Sequence, residues 1–343
     1  MTKADTHLID QIWPKHELEH TETCPYCGSS ERSLAFQDVQ DWSFYCAPGK
    51  WSYWDCTQCS ALYQNPRPTE SSIGRAYTAY YTHTYNNASF KSILKTRFKN
   101  ECLSQWLHAN FAPRLNIPKA FRFLFTPLRK LIGIPFELPF LASSSKGTLL
   151  DVGCGSGAKL QLAKNLGFEV TGLELDTNAV AVARSEGLNV ILGDYKSLEQ
   201  FNTTFNYIIC SHVLEHVHEP IELLKLLIGT LSENGTLLLS LPNAQSHLRQ
   251  HFSENWRGIE APRHIAIPTA RQINNIINKF GVFQVQQVAC HYNTLAESRR
   301  LQRRELKSNF IDFMLLKLLA NNKKNMTIEN SDYIQLIITK VKS

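Results

Sequence analysis

A chain of 343 residues that is 43% hydrophobic and 19% charged, with a net charge of +6, can bury a sizeable core and hold two structural units. No stretch offers 18 apolar residues free of charge or proline, and the first twenty residues mix charged and apolar side chains too closely for a secretory leader, so a cytoplasmic protein is expected. Nine cysteines without an export signal argue against a disulfide framework.

Four of those cysteines fall in the first organised stretch. Cys24 and Cys27 in "CPYCGSS", and Cys56 and Cys59 in "WDCTQCSALY", form two C-x2-C pairs with 28 residues between them. Each pair can turn two thiolates to one side of a tight knuckle, and two facing knuckles give the tetrahedral sulfur set that zinc prefers. Four thiolates leave no open position for water, so structural zinc is expected. Cys46, Cys102, Cys154, Cys210 and Cys290 lack such spacing and read as small buried residues. Pro66 and Pro68 then end the ribbon, and Tyr77, Tyr80, Tyr81 and Tyr85 recur at helical spacing, as packing or as a lid over a cleft.

Residues 88–133 carry nine Lys/Arg against a single acid, Glu101, a local charge of +8 that leaves the remainder at about −2. A basic, apolar-rich segment of this kind can meet phosphate groups on lipids, nucleotide-sugars or RNA, or form a solvated face beside a linker.

From residue 148 short β runs alternate with amphipathic helices. "TLLDVG", "EVTGLEL", "NVILGD", "FNYIICSHV" and "GTLLLSLP" read as strands, with helices near 157–166, 177–186 and 219–232. "PTARQINNIINKFG" adds a helix, and "FQVQQVAC" and "YIQLIITKV" add two strands. The pattern predicts an α/β fold, a doubly wound seven-stranded Rossmann-like sheet, behind a small N-terminal zinc ribbon.

In such a sheet the ligand sits at the carboxyl ends of the strands, and the first strand-to-helix turn is the place to look. That turn holds Gly153, Gly155 and Gly157, with Cys154 between the first two. The G-x-G-x-G spacing departs from the dinucleotide fingerprint G-x-G-x-x-G. Asp151 precedes the turn, where a carboxylate would repel a pyrophosphate but could receive an ammonium. Glu174 closes the second strand, placed to accept both hydroxyls of a ribose. Asp194 ends the third strand, placed to accept from an exocyclic adenine amine, with Tyr195 available for stacking.

With "LLDVGCGSG", "GLELD", "GDY" and "LEHV" in this order, residues 146–341 resemble the class I S-adenosylmethionine-dependent methyltransferases. The resemblance implies that Asp151, Gly153, Cys154, Gly155 and Gly157 hold the methionine part, Glu174 the ribose, and Asp194 with Tyr195 the adenine. "CPYCG", "WDCTQCSALYQNPRP" and "ENWRGIEAPRHIAIPT" extend it to bacterial methyltransferases with an N-terminal cysteine-knuckle domain. The expected organisation is a zinc ribbon over 1–68, a helical linker or lid over 69–147 and the methyltransferase domain over 148–343, interrupted by a helical insertion at 291–331.

Methyl transfer needs an acceptor aligned with the sulfonium and a group that removes or shares the acceptor's proton. His212, Glu215 and His216 in "HVLEH" stand at i, i+3 and i+4, which one helical turn would bring to one side, and "APRH" supplies His264. His212 or His264 is a candidate general base; alternatively the four side chains bind a divalent metal that polarises the acceptor, or the motif only packs. The stretch resembles the E-x-x-E-H motif of metal-dependent O-methyltransferases, except that His212 stands at the first acid position, which favours a softer metal than Mg²⁺. Asn243, Trp256 and Arg257 are expected on the same pocket wall, with Arg257 or Arg263 either clamping an anionic group of the substrate or pairing at the surface.

The leading expectation is O-methylation of a small-molecule or lipid-linked acceptor, of sugar or quinone type. The first rival is an RNA methyltransferase holding nucleic acid with its ribbon and basic segment, against which the absence of an (Asn/Asp)-Pro-Pro-aromatic turn counts. The second is a non-catalytic scaffold with a retained fold. The insertion 291–331 is the candidate for homodimer contact, for a cleft wall or for peripheral membrane contact.

Overall fold

The computed structural model describes residues 8–78, 90–107, 135–288, 294–304 and 328–341, together with 111, 113–115 and 117. Tyr80, Tyr81, Tyr85, Cys290, half of the basic stretch 88–133 and most of the insertion 291–331 lie outside the described residues. The chain divides into two compact units, one of residues 81–209 and one of residues 1–80 with 210–343.

In the N-terminal stretch, β1 (Leu18–Glu19), β2 (Arg32–Val39), β3 (Trp51–Cys56), β4 (Leu62–Gln64) and β5 (Arg67–Pro68) follow one another. β3 is rich in aromatic residues, which suit a pleated half-buried surface, and it pairs antiparallel with β2 on one side and β4 on the other. The "NPRP" stretch does not end the strands as the prolines suggested. Leu18 pairs with Pro68 and Glu19 with Arg67 in a separate two-stranded pair, a setting whose edges tolerate the missing N–H of proline.

The unit of residues 81–209 contains α1 (Phe90–Trp106), α2 (Glu137–Ser143), β6 (Thr148–Val152), α3 (Ala158–Asn165), β7 (Glu169–Glu174), α4 (Thr177–Ser185), β8 (Val190–Leu192) and most of β9 (Phe205–Ser211). β6 pairs parallel with β7, and β7 with β8. Gly157 opens α3 at φ +84°, and a Cβ there would stand 2.3 Å from Leu188 Cδ1, so the turn needs glycine on both counts. Asp176 starts α4 by accepting from the N–H groups of Asn178 and Ala179.

The chain then continues through α5 (Pro220–Thr230), β10 (Leu231–Pro242), α6 (His247–Phe252), β11 (Ala266–Ile267), α7 (Ala270–Ile277), β12 (Phe283–Gln287), α8 (Leu295–Arg303) and β13 (Tyr333–Lys340). Pro220 occupies the first turn of α5, where its missing N–H costs nothing, and Thr269 caps α7 by accepting from Gln272 N–H. The larger sheet has seven strands in the order β12-β13-β10-β9-β6-β7-β8, with β13 antiparallel to both its neighbours. All seven predicted strands are present, and the helices predicted near 157–166, 177–186, 219–232 and 268–281 correspond to α3, α4, α5 and α7.

Strand β11 was not foreseen. It adds to the ribbon in a second sheet of order β11-β4-β3-β2, with Ala266 opposite Tyr63 and Ile267 opposite Leu62. Trp13, Val39, Trp51, Tyr53 and Leu62 share one core with Ala244, Phe252, Trp256, Ile259, Ala261 and Ile267. Burying a side chain such as Leu62 or Ile267 contributes about 1.5–3 kcal/mol, so this part of the molecule is held by residues some 200 positions apart in sequence.

Candidate functional site

The glycine turn follows β6. Gly153 and Cys154 donate their N–H groups to Leu173 O, at 2.8 and 3.2 Å, and Gly157 N–H reaches Cys154 O at 3.0 Å. Gly155 N–H donates to Glu174 Oε2 at 2.7 Å, while Glu174 Oε1 accepts from Leu175 and Asp176 N–H, both at 2.9 Å. These N–H groups are spent inside the fold, whereas a pyrophosphate turn aims such groups at its ligand.

Asp151 is 2% exposed at the end of β6, and its Oδ2 has no hydrogen-bond partner among the described residues. Burial raises its pKa to about 7, with Glu137 and Glu174 adding to the rise and Lys159 opposing it. A buried, unsatisfied carboxylate oxygen suits a cationic donor. Asp194 is exposed and Tyr195 half-buried. Leu175, which sequence reasoning passed over, is 69% exposed directly after Glu174.

In the other unit the four knuckle cysteines converge. Cys24 Sγ lies 3.6 Å from Cys59 Sγ, and Cys27 Sγ 3.5 Å from Cys56 Sγ. Ligands at the usual Zn–S distance of about 2.3 Å on a tetrahedron stand about 3.8 Å apart, so the donor set and its spacing fit zinc. The hydrogen bond between Cys24 and Cys59 lowers the Cys24 pKa to about 6 and raises that of Cys59, so the two sulfurs share one proton.

The "HVLEH" stretch forms a single 3-10 turn, Leu214–His216, preceded by His212 at φ +57°. His212 is about half exposed, and its Nδ1 lies 3.0 Å from Glu215 Oε1; Glu215 is fully buried, with Oε2 unpartnered among the described residues. His216 Nδ1 lies 3.0 Å from Arg263 O and 2.9 Å from the Tyr77 hydroxyl. His264 is 4% exposed, with Nδ1 2.6 Å from Gly258 O and Nε2 4.0 Å from Glu215 Oε1 and 3.8 Å from Glu260 Oε2. Backbone carbonyls on both Nδ1 atoms place the protons there and leave the Nε2 lone pairs of His216 and His264 available.

Glu215, His216 and His264 offer ligand atoms within 4.8 Å of one another, so these three of the four predicted residues could hold a metal, and His212 flanks them. Burial, reinforced by His216, lowers the His264 pKa to about 4, and burial lowers that of His216, which keeps both imidazoles neutral. Burial alone would raise the pKa of Glu215, but the His212 hydrogen bond acts against it and the carboxyl's pKa is lowered.

Arg263 neither clamps a ligand nor lies at the surface. It is fully buried, with Nη2 2.5 Å and Nη1 3.1 Å from the two oxygens of the equally buried Asp41, and Nε 3.1 Å from Glu260 Oε1. Buried charge of this kind persists only when paired, and here both ends of the guanidinium are met. Arg257 pairs with Glu260 and stands over the Phe44 ring. Asn243 Nδ2 donates to Glu329 O and Ser331 O, and Trp256 Nε1 to Asp332 Oδ1, so the polar groups of both bind the chain itself. Glu260 was missed, although its place four residues before His264 was a signal available in the sequence.

A family model described as a methyltransferase domain matches residues 122–288, and this segment belongs to that domain family. A ubiquinone biosynthesis O-methyltransferase of Xanthomonas campestris is 34% identical over 102 residues, which cover 28% of this chain and 43% of that protein. The mitochondrial ubiquinone biosynthesis O-methyltransferase of Schizosaccharomyces pombe is 35% identical over 100 residues, covering 27% of this chain and 36% of that one. The chain thus spans less than half the length of these curated relatives. A solved S-adenosylmethionine-dependent methyltransferase from Archaeoglobus fulgidus aligns with 16% identity and a TM-score of 0.42 over 64% of this chain and 94% of that one. Among the described residues no helix is long and apolar enough to cross a membrane.

Proposed function

We propose that the protein transfers a methyl group from S-adenosylmethionine to an oxygen atom of a small or lipid-linked acceptor of sugar or quinone type. The observation that carries this reading is the buried, unpartnered Asp151 Oδ2 beside a glycine turn whose N–H groups are already used. Such a site rejects a diphosphate and accepts the ammonium of an amino acid joined to a nucleoside. Glu174 retains acceptor capacity for ribose hydroxyls, Asp194 and Tyr195 take the adenine edge and face, and the exposed Leu175 offers an apolar wall. The choice of oxygen, and of a quinone-like ring as one acceptor class, draws on the names of the matching relatives.

The bound cofactor supplies a methyl group already activated by its sulfonium. The protein's own task is to orient the acceptor and take its proton. We assign this task to His212, a half-exposed imidazole with Glu215 fixing its Nδ1–H and so leaving Nε2 to accept. A second reading rests on the convergence of Glu215, His216 and His264, which could hold a divalent cation that polarises the acceptor oxygen. Zinc on Cys24, Cys27, Cys56 and Cys59 has a structural role in either case.

Calorimetric titration of the full chain with S-adenosylhomocysteine tests the cofactor site, and a screen of phenolic and sugar acceptors with isotope-labelled methyl donor tests the reaction. Binding with one-to-one stoichiometry and label on an acceptor oxygen are expected. Absence of any heat with S-adenosylhomocysteine would overturn the reading.

A further inference from the structure

The ribbon does more than precede the α/β fold. Three successive carbonyls of the segment carrying His264 are each held by a different ribbon residue. His264 O accepts from the Tyr53 hydroxyl at 3.0 Å, Ile265 O from Gln64 N–H at 2.8 Å, and Ala266 O from the Tyr26 hydroxyl at 3.2 Å. Tyr26 lies between the first two knuckle cysteines, is 2% exposed, and has its own carbonyl fixed by Gln272 Nε2 at 3.0 Å. Tyr53 is fully buried on the strand that ends in Cys56. On the other edge of the segment, Ile265 N–H donates to Glu215 O at 2.7 Å. The residues around His264 are therefore stretched between the cysteine cage and the backbone of Glu215.

We infer that the metal-bound ribbon is the positioning element of the Glu215–His216–His264 cluster, acting through the hydroxyls of Tyr26 and Tyr53 and the Gln64 amide. This rests on the proposed function only in calling the cluster catalytic. Tyr26 and Tyr53 are positioning residues: they touch the backbone of 264–266 and act through it. With the sulfurs unligated, the knuckle between Cys24 and Cys27 loses its closure, and Tyr26 with it loses its fixed distance to Ala266.

Hydrogen exchange of the full chain, as purified and after metal removal with a mercurial reagent and chelator, tests this. Metal removal is expected to speed exchange in peptides covering 259–268 as well as in the knuckle peptides, and to leave peptides covering 149–176 unchanged. Unchanged protection at 259–268 after the metal has left would overturn the inference, as would a protein that purifies with no metal on the four cysteines.

Tyr53→Phe and Tyr26→Phe provide the second arm, because each keeps the ring and removes one hydroxyl bond. Each is expected to retain full zinc content and to speed exchange of the Ile265 amide about 2- to 10-fold, the range set by one net hydrogen bond. The imidazole signals of His264 in labelled protein should also move while those of His251 on α6 do not, which a general loss of stability would not produce. Wild-type exchange and unmoved His264 signals in both variants would refute the role. S-adenosylhomocysteine binding, measured on the same samples, separates failure of this inference from failure of the cofactor assignment.

Discussion

The glycine turn and the histidine cluster are built in opposite ways. At the turn, the bond from Gly155 N–H to the Glu174 carboxylate joins residues 19 positions apart, and the groups around it come from one strand-turn-helix-strand run. In the other unit, Arg263 meets Asp41 across 222 positions and Tyr77 meets His216 across 139. Local construction lets a site be recognised from a short string of residues. Distant construction makes each member depend on partners that no string reveals, so a single substitution there should cost more in stability, whereas one at the turn should cost more in binding.

The largest effect expected is on Arg263. Arg263→Ala leaves the Asp41 carboxylate buried without its bidentate partner, a loss of about 3–5 kcal/mol when one member of a buried pair is removed. Urea unfolding should show it as a large fall in midpoint; a shift under about 1 kcal/mol would mean that water reaches Asp41 and that the pair is not dry. Glu174→Ala should do the reverse. It removes a half-exposed carboxylate with three local N–H bonds, so stability should fall less than in Arg263→Ala, whereas S-adenosylhomocysteine affinity should fall by about 1.5–3 kcal/mol, or roughly 10- to 150-fold, as expected for bonds to a charged acceptor. Equal affinity in wild type and variant would break the comparison at its binding end.

Asp151 gives the contrast a pH signature. Its folded pKa of about 7 lies above the unfolded value of about 4, so the native state binds more protons between these limits. Stability from this group is therefore fully present below about pH 4 and is lost as pH rises through about 7. An incoming ammonium needs the ionised form, so binding releases a proton below pH 7, and affinity for S-adenosylhomocysteine should weaken towards tenfold per pH unit as pH falls from about 7 to 5. Asp151→Asn should bind weakly with no such slope, and at pH 8 should be more stable than wild type in the absence of ligand. Calorimetry at several pH values in buffers of different ionisation heat measures the released proton directly; zero release at pH 6 would show that Asp151 is already ionised.

The same contrast explains what could be read from the amino-acid order. The strands of the larger sheet were legible because β6, β7, β8 and β10 are apolar runs closed by glycine, proline or an acid and β9, β12 and β13 carry β-branched and aromatic residues, and the turn at 153–157 was legible because its glycines and acids are sequence neighbours. The cysteine cage was legible despite its spread because thiols in C-x2-C pairs have few other uses. Strand β11 was not, since a two-residue strand has no periodicity and exists only because Leu62 and Tyr63 offer it an edge. The role of Arg263 was misjudged for the same reason: nothing near it in sequence announces Asp41. The helical-turn argument for "HVLEH" brought His212 and Glu215 together correctly, but His216 is directed by Arg263 O and Tyr77, both far along the chain.

The smallest effect discriminates the two constructions at matched chemistry, because each unit has a helix started by a polar cap. Asp176 caps α4 through Oδ1, at 2.7 Å from Asn178 N and 3.2 Å from Ala179 N, and these are bonds within its own turn. Asp176→Ala should cost about 1 kcal/mol, the ordinary value of a cap. Ser246 caps α6 in the same manner, accepting from Leu248 N–H at 3.1 Å, but its hydroxyl also donates to the buried Asp332 Oδ1 at 2.9 Å, 86 positions away. Ser246→Ala therefore loses the cap and one donor to a buried carboxylate, and should cost about 2–3 kcal/mol in the same urea titration. If the two alanine variants were to unfold at the same midpoint, the long-range bond would add nothing to the local one, and the distinction between the units would fail at its finest grain.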